Sequence, residues 1–324
     1  MAVYTPVSAD ELAAFLADYA VGEATSFKGI AEGVENSNFM VDTASGRYFL
    51  TLYEKRVEAA DLPWFLALTT HLADKGLPVP RPIRDRTGQT LRQLNGRPAC
   101  LIEFLPGVSV TEPTPAQCGA VGAALGRLHS AAADFTAVRA NALGPSAWPV
   151  LAARCGDQLG RIDPDLPGLV AAGLAATQAW PAGLPSGVIH ADLFCDNVLM
   201  LDGEVSGLID FYFACTDLIA YDLAVTHAAW CFTTDGSRHV PERAAALWTG
   251  YAGARGLSAA EVAALPLLGV GAALRFTLTR AYDWLNTPPD ALVTRKDPMA
   301  FARRLRWYLA ATPEMMAPEM LRGA

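Results

Sequence analysis

No two of the six cysteines stand in CxxC spacing. Cys100, Cys118, Cys155, Cys195, Cys215 and Cys231 are scattered, so neither a zinc site nor a redox dithiol is indicated. Reduced, mostly buried thiols in a cytoplasmic protein are expected instead. Met1 to Asp10 lacks a basic segment followed by an apolar run, which argues against a secretory signal. The longest uncharged stretch, Leu166 to Ala191, is Ala-rich and interrupted by Pro167, Pro181, Pro185 and four glycines. It reads as a helix followed by a loop, and no membrane partner is expected. Positive charge is also short: 25 basic against 33 acidic side chains give a net charge of −8. The one basic cluster, Arg303-Arg304-Arg306 beside Lys296, reads as a solvated helix face, and no nucleic-acid partner is expected. There is no internal repeat, no low-complexity linker and no GxxxxGK[ST] phosphate loop.

What is present is a 324-residue chain, 52% hydrophobic and 18% charged, enough for one large domain or two unequal lobes. Ser8 with Glu11 suggests a capping box opening a helix that carries Leu12, Phe15, Leu16 and Tyr19. Strand material follows at Lys28–Asp42 and Arg47–Tyr53, then a helix from about Asp61 to Lys75. Thr90–Leu94 and Ala99–Leu105 flank Asn95-Gly96, a hairpin turn signal. After Pro106-Gly107 the pattern is helical, starting with Thr114-Pro115 and Gln117. Further helices are expected near Leu166–Trp180, Leu218–Cys231, Pro241–Tyr251, Ser258–Leu265, Val270–Trp284 and Pro298–Leu309. The reading is an α+β protein: a strand-rich part, residues 1–105, a helical part, 106–324, and a nucleotide in the cleft between them.

One non-helical insert interrupts the helical part. It contains His190-Ala191-Asp192-Leu193-Phe194-Cys195-Asp196-Asn197, then a hairpin turning at Asp202-Gly203, then Ile209-Asp210-Phe211. Phosphoryl transfer needs a carboxylate to orient a hydroxyl and accept its proton, and oxygen ligands to hold Mg²⁺ on the phosphates. Asp192 suits the first task, and Asn197 and Asp210 the second. The hairpin is expected to bring them to one end of a two-stranded ribbon. Each acid alone reads equally well as a turn or strand cap. His190, following Val188-Ile189, is expected to pack and to hydrogen-bond the loop backbone.

At these residues the sequence resembles the protein-kinase-like phosphotransferases that act on small molecules, with a His-x-Asp-x-x-x-x-Asn loop and a following Ile-Asp-Phe. The resemblance implies a bilobal fold with a small antiparallel β lobe and a larger helical lobe containing the catalytic hairpin. It implies Asp192 as catalytic aspartate, Asn197 and Asp210 as Mg²⁺ ligands, ATP as donor, and Asp217 and Asp222 as support. Gly33-Val34-Glu35-Asn36-Ser37-Asn38-Phe39-Met40-Val41, Tyr48–Glu54, Gly76–Pro82, Ile102–Gly107 and Leu274–Trp284 are more specifically similar to the kinase-like homoserine kinases of bacteria.

This closer likeness implies that Asn36, Ser37 and Asn38 contact phosphates and that Glu103 to Leu105 form a hinge reading adenine. Thr51 stands where many relatives place a phosphate-pairing lysine; either Lys55 or Arg56 reaches in from beyond the strand or the phosphate loop and Mg²⁺ suffice, and Glu58 and Asp61 are candidate acids beside it. The acceptor implied is L-homoserine, phosphorylated on its hydroxyl on the way to threonine. Of Arg275 and Arg280, Arg280 is the expected carboxylate partner, with Asp217 or Asp283 for the ammonium. Choline, an aminoglycoside or another amino alcohol is the alternative acceptor, and a non-catalytic nucleotide-binding regulator the alternative class. Monomer and homodimer both remain open.

Overall fold

Ser8 and Glu11 each satisfy the other's backbone N–H at the start of helix α1 (Ala9–Leu16), the reciprocal cap their spacing predicts. The helix belongs to a computed structural model that describes residues 4–30, 36–54, 58–287 and 295–316. The chain divides into two compact units: Met1–Pro106 with Gly207–Tyr212, and Gly107–Ser206 with Phe213–Ala324.

In the first unit, β1 (Ala24–Ile30), β2 (Asn36–Thr43), β3 (Gly46–Tyr53), β4 (Arg92–Leu94) and β5 (Arg97–Glu103) form one antiparallel sheet, ordered β1-β2-β3-β5-β4. Asn95 and Gly96 hold φ of 49° and 72°, the left-handed pair a two-residue hairpin turn requires. Strand alternation gives the sheet two apolar faces. Leu50, Leu52, Phe39 and Leu101 pack with Leu12, Phe15 and Leu16 of α1. Tyr53 and Cys100 pack with Leu62 and Leu66 of α2 (Leu62–Asp74). Each such buried side chain contributes about 1.5–3 kcal/mol. Gly207–Tyr212 belongs here because Leu208 N–H donates to Pro78 at 2.7 Å and Tyr212 stands edge-on to Tyr53 and Phe65.

The second unit is helical around two small ribbons. β6 (Ser186–Ile189) pairs antiparallel with β9 (Cys215–Leu218), while β7 (Val198–Leu201) pairs with β8 (Glu204–Leu208), whose last two residues begin the Gly207–Tyr212 segment. Asp202 and Gly203, at φ 51° and 87°, turn the second ribbon as the Asp-Gly signal predicts. Val108 adds a bridge to Met200, and a Cβ on Gly107 would run into Ser206, Leu199 and Met200. Only glycine fits that approach.

The helices are α3 (Pro115–Ala131), α4 (Trp148–Cys155), α5 (Leu159–Ile162), α6 (Leu166–Ala176), α7 (Ile219–Trp230), α8 (Pro241–Ala254), α9 (Ala259–Asn286), α10 (Met299–Ala310) and α11 (Pro313–Met316). This is the α+β division expected: a smaller antiparallel-sheet lobe and a larger helical lobe carrying the hairpin, as in protein-kinase-like folds.

Three local expectations are corrected. Ser258–Leu265 and Val270–Trp284 are not two helices but one, α9, running through Pro266. A helix-interior proline costs about 3 kcal/mol, and the fully buried Leu265, Leu268, Ala272, Leu274 and Leu278 on either side outweigh it. Among the described residues α9 is also the one helix long and apolar enough to cross a membrane, yet it is packed by α4, α6, α7, α10 and α11. The basic cluster is not a uniformly solvated face: Arg304 is buried, donating to Ala300 and Thr233 carbonyls and lying over Phe301. Finally, the helix expected to Trp180 ends at Ala176 in a 3₁₀ turn. All six cysteines are free, five of them buried, as expected.

Candidate active site

β6 runs straight into His190, Ala191 and Asp192, and β9 beside it runs straight into α7. That pairing places Asp222, in the first turn of α7, under the loop. Its carboxylate accepts the His190 and Ala191 N–H groups, both at 2.7 Å, and faces His129 Nε2 at 3.0 Å. Asp222 is fully buried. Burial pushes its carboxyl upward, but the hydrogen bond and charge of His129, then His190, outweigh this and hold the pKa below the usual value.

Because a carboxylate only accepts, His129 Nε2 carries the proton, and its Nδ1 meets the Tyr251 hydroxyl at 2.8 Å. Arg255 donates to that hydroxyl at 3.1 Å and to Glu261 at 3.0 Å, and Glu261 caps α9. A buried polar chain thus ties the loop to helices α3, α7, α8 and α9. Such a chain rigidifies when every member is satisfied.

The loop itself is over-determined. Ala191 holds φ 62°, a left-handed conformation unfavourable for a residue with a Cβ. Its carbonyl accepts Arg275 Nη1 at 2.5 Å. Asp192 N–H donates to His190 Nδ1 at 3.3 Å, and the Leu193 carbonyl accepts Trp230 Nε1 at 2.8 Å. Asn197 Nδ2 donates to the Asp192 carbonyl at 2.8 Å and to its carboxylate at 3.2 Å. The structure therefore brings Asp192 and Asn197 within hydrogen-bond distance and fixes the Asn197 amide with its oxygen turned away. Asp210, two residues past β8, also holds a left-handed φ, 63°.

Around the loop, Phe194 packs on Phe276 and Phe301, with Arg280 and Lys296 each 5.8 Å from its ring. Arg280 lies over Phe301 at 4.4 Å. Burial lowers its pKa to about 10, with the charges of Asp192, Asp196 and Asp297 opposing. Asp217 is occupied otherwise: its oxygens accept Asn141 Nδ2 at 2.6 Å and the Leu218 N–H at 2.7 Å. Arg275 is buried between Phe276 and Phe213, at 4.6 and 5.5 Å.

In the first unit, Asn38 faces Thr51 across β2 and β3, and its Oδ1 accepts the Thr51 hydroxyl at 2.9 Å. Ser37 is fully buried; its hydroxyl accepts the Tyr4 and Thr5 N–H groups and donates to Glu54 at 2.7 Å. Asn36 Oδ1 accepts the Glu54 N–H at 3.4 Å. Glu103 ends β5 and Leu105 is half-buried beyond it. Gly33 to Glu35, Lys55 and Arg56 lie outside the described residues.

The sequence profile of a phosphotransferase enzyme family matches residues 26–258. The chain belongs to this phosphotransferase family. It is 57% identical to a homoserine kinase of Acidiphilium cryptum over 96% of this chain and 98% of that one. It is 54% identical to a homoserine kinase of Granulibacter bethesdensis over the same shares. Within the family it groups with these bacterial homoserine kinases of the protein-kinase-like type. Among solved structures, an amicoumacin kinase in complex with AMP-PNP and Ca²⁺ superposes with a TM-score of 0.70 at 16% identity, covering 98% of both chains. A spectinomycin phosphotransferase bound to ADP gives 0.71 at 15%, covering 96% of this chain and 100% of that one. At such identities the likeness is one of fold.

In this phosphotransferase, sequence reasoning missed His129, Tyr251 and the loop-carbonyl contacts of Trp230 and Arg275. His129 is 93 positions from Asp222, so no local spacing could have joined them. Arg275 was visible as a charged residue in an apolar helix, but its partner is a backbone atom, which leaves no mark on a sequence.

Proposed function

We propose that this phosphotransferase moves the γ-phosphoryl group of ATP to the terminal hydroxyl of L-homoserine, giving O-phospho-L-homoserine. One observation carries the acceptor: identity of 54–57% over 96% of the chain to curated homoserine kinases. The site is chemically suited to it. Asp192, its carboxylate steadied by Asn197, orients the hydroxyl and accepts its proton during in-line transfer. Arg280, close enough to feel the Asp192 charge, is the partner for the substrate carboxylate. A cation there disfavours a quaternary ammonium or polyamine acceptor. Asp217, held by Asn141 Nδ2 and the Leu218 N–H, serves as a support residue on β9.

The residues also fit Mg²⁺. Among the described residues no three His, Cys, Asp or Glu side chains gather into a cage, so the protein would offer few ligands and phosphates the rest. The Asn197 amide, donating through Nδ2, leaves Oδ1 for a cation, and Asp210 supplies a carboxylate. When bound, the ion supplies charge neutralisation on the phosphates. Asn36, Asn38 and the backbone from Glu103 to Leu105 are the proposed nucleotide contacts, with Asn38 held by Thr51 where a lysine is missing. Ser37 braces that strand.

ADP release measured with L-homoserine, L-serine, L-threonine and choline tests the proposal. Homoserine should give the highest kcat/KM, and Asp192→Asn should lower kcat by roughly 10²–10⁴-fold. Choline or serine outperforming homoserine would overturn the acceptor; an active Asp192→Asn would overturn the base.

A further inference from the structure

We propose that Arg275 is a positioning residue for Asp192: it holds the Ala191 carbonyl and so keeps the catalytic-loop peptide in its left-handed conformation. This rests on the transfer reaction proposed above. Three contacts grip Ala191 and its neighbour. Asp222 takes the two N–H groups of His190 and Ala191, and Arg275 Nη1 takes the Ala191 carbonyl at 2.5 Å. That carbonyl belongs to the peptide leading into Asp192, so its direction sets where the Asp192 side chain begins. An alanine at φ 62° is strained, and such a conformation persists only where the surroundings over-determine it.

The environment of Arg275 shows that stability alone does not explain it. The side chain is 2% exposed; its Nε lacks a well-aligned acceptor among the described residues, and the buried Tyr221 phenol lies beside the guanidinium. Burying a cation with a donor unsatisfied is unfavourable, so the bond to the Ala191 carbonyl is offset by the desolvation of the guanidinium. Aromatic faces from Phe276 and Phe213 compensate in part. Phe213 closes the 3₁₀ turn Phe211–Phe213 that follows Asp210. One guanidinium therefore touches both the loop of the proposed base and the turn after the proposed metal ligand. Arginine serves here because it stays charged, is weakly hydrated, and stacks while donating. Arg275 is thereby unavailable to a substrate carboxylate, which leaves Arg280, five positions on.

The experiment compares wild type, Arg275→Met, Arg275→Lys, Ala191→Gly and the two double variants. Steady-state kinetics is run with ATP and L-homoserine, urea unfolding measures stability, and hydrogen exchange follows the peptide spanning His190 to Asp192. Arg275→Met should lower kcat roughly 10- to 100-fold with both KM values within about threefold, because a misplaced base weakens the transition state rather than binding. Its unfolding midpoint should fall only modestly, the orphaned Ala191 carbonyl being offset by relief of the guanidinium's desolvation, while exchange at His190 and Ala191 accelerates. Arg275→Lys, one donor without the stacking plane, should fall between.

Ala191→Gly should restore at least about fivefold of kcat in either Arg275 variant, since glycine adopts positive φ without strain, and should not raise kcat in wild type. Unchanged kcat and unchanged exchange in Arg275→Met would overturn the proposal. So would a loss confined to the homoserine KM, which would make Arg275 a substrate contact. If Arg275→Met fails to fold, the lysine pair decides: no gain from glycine overturns the proposal. If wild type transfers to no acceptor, the reaction reading falls, and faster exchange in the variants still establishes the clamp.

Discussion

Two arginines five positions apart on α9 have opposite surroundings. Arg275 is sealed in and spends a donor on a backbone carbonyl, whereas Arg280 lies half-buried over Phe301, with one long bond to the Asp297 carbonyl at 3.4 Å. A helix turns by 3.6 residues, so positions 275 and 280 differ by more than a full turn and face different neighbours. The sequence shows both residues and their spacing; it does not show which points at the loop, because the answer depends on Ala191, 84 positions away. A charged hydrogen bond to a carboxylate is worth about 1.5–3 kcal/mol. Arg280→Gln should therefore raise the homoserine KM by roughly 10- to 150-fold with little change in kcat and none in the ATP KM. Initial-rate kinetics with each substrate varied would check this, and an unchanged homoserine KM would remove Arg280 from the acceptor site.

At the scale of elements, α3 and α8 approach so closely that glycine is required at the crossing. A Cβ on Gly122 would run into the Leu247 carbonyl, and one on Gly250 into the Gly119 carbonyl. Backbone atoms cannot step aside as side chains do, so Gly122→Ala and Gly250→Ala should each destabilise by about 1–3 kcal/mol or more. Gly253→Ala on the same helix meets nothing within 4 Å and should stabilise by about 0.5–1 kcal/mol. Urea midpoints for the three variants check the contrast; a destabilising Gly253→Ala would break the argument. The pattern of what was legible follows the same physics. Capping boxes at Ser8 and Thr114 and the Asn95-Gly96 and Asp202-Gly203 turns are local bargains among neighbouring residues, and all four form as read. The continuity of α9 through Pro266, the burial of Arg304 and the pairing of β9 with β6 are decided by distant partners, and those the sequence left hidden. Asp192 and Asn197 fall between: five residues apart in a loop, they were readable as a pair, and they meet.

At the scale of the molecule, two imidazoles that pack helices of the second unit together make part of its stability depend on pH. His227 of α7 stacks on Trp248 of α8 at 5.0 Å, bonds the Tyr308 hydroxyl of α10 at 2.6 Å, and meets His239 Nε2 at 3.2 Å. His239 in turn stacks on Trp307 at 4.4 Å. Burial, reinforced by the charge of His239, holds the His227 pKa well below 6.5. Burial takes His239 to about 4, with Glu242 opposing. In the unfolded chain both return to the ordinary value near 6.5. Between these limits the unfolded chain binds protons that the folded chain refuses, so stability rises with pH there. It is fully present above about pH 6.5 and is lost progressively as pH falls toward 4. Asp222 acts in a lower window: its carboxyl is depressed below 3.8, so its contribution is present above that value and lost only beneath it. The two effects are therefore separable by pH. Wild type should melt at falling temperatures from pH 7 to pH 4, and His239→Asn should flatten that decline by about one proton's slope while leaving the fall below pH 4 in place. Calorimetric melts in matched buffers at half-unit steps would show this, and parallel curves for the two proteins between pH 6.5 and 4.5 would mean that His239 is not held neutral by the fold.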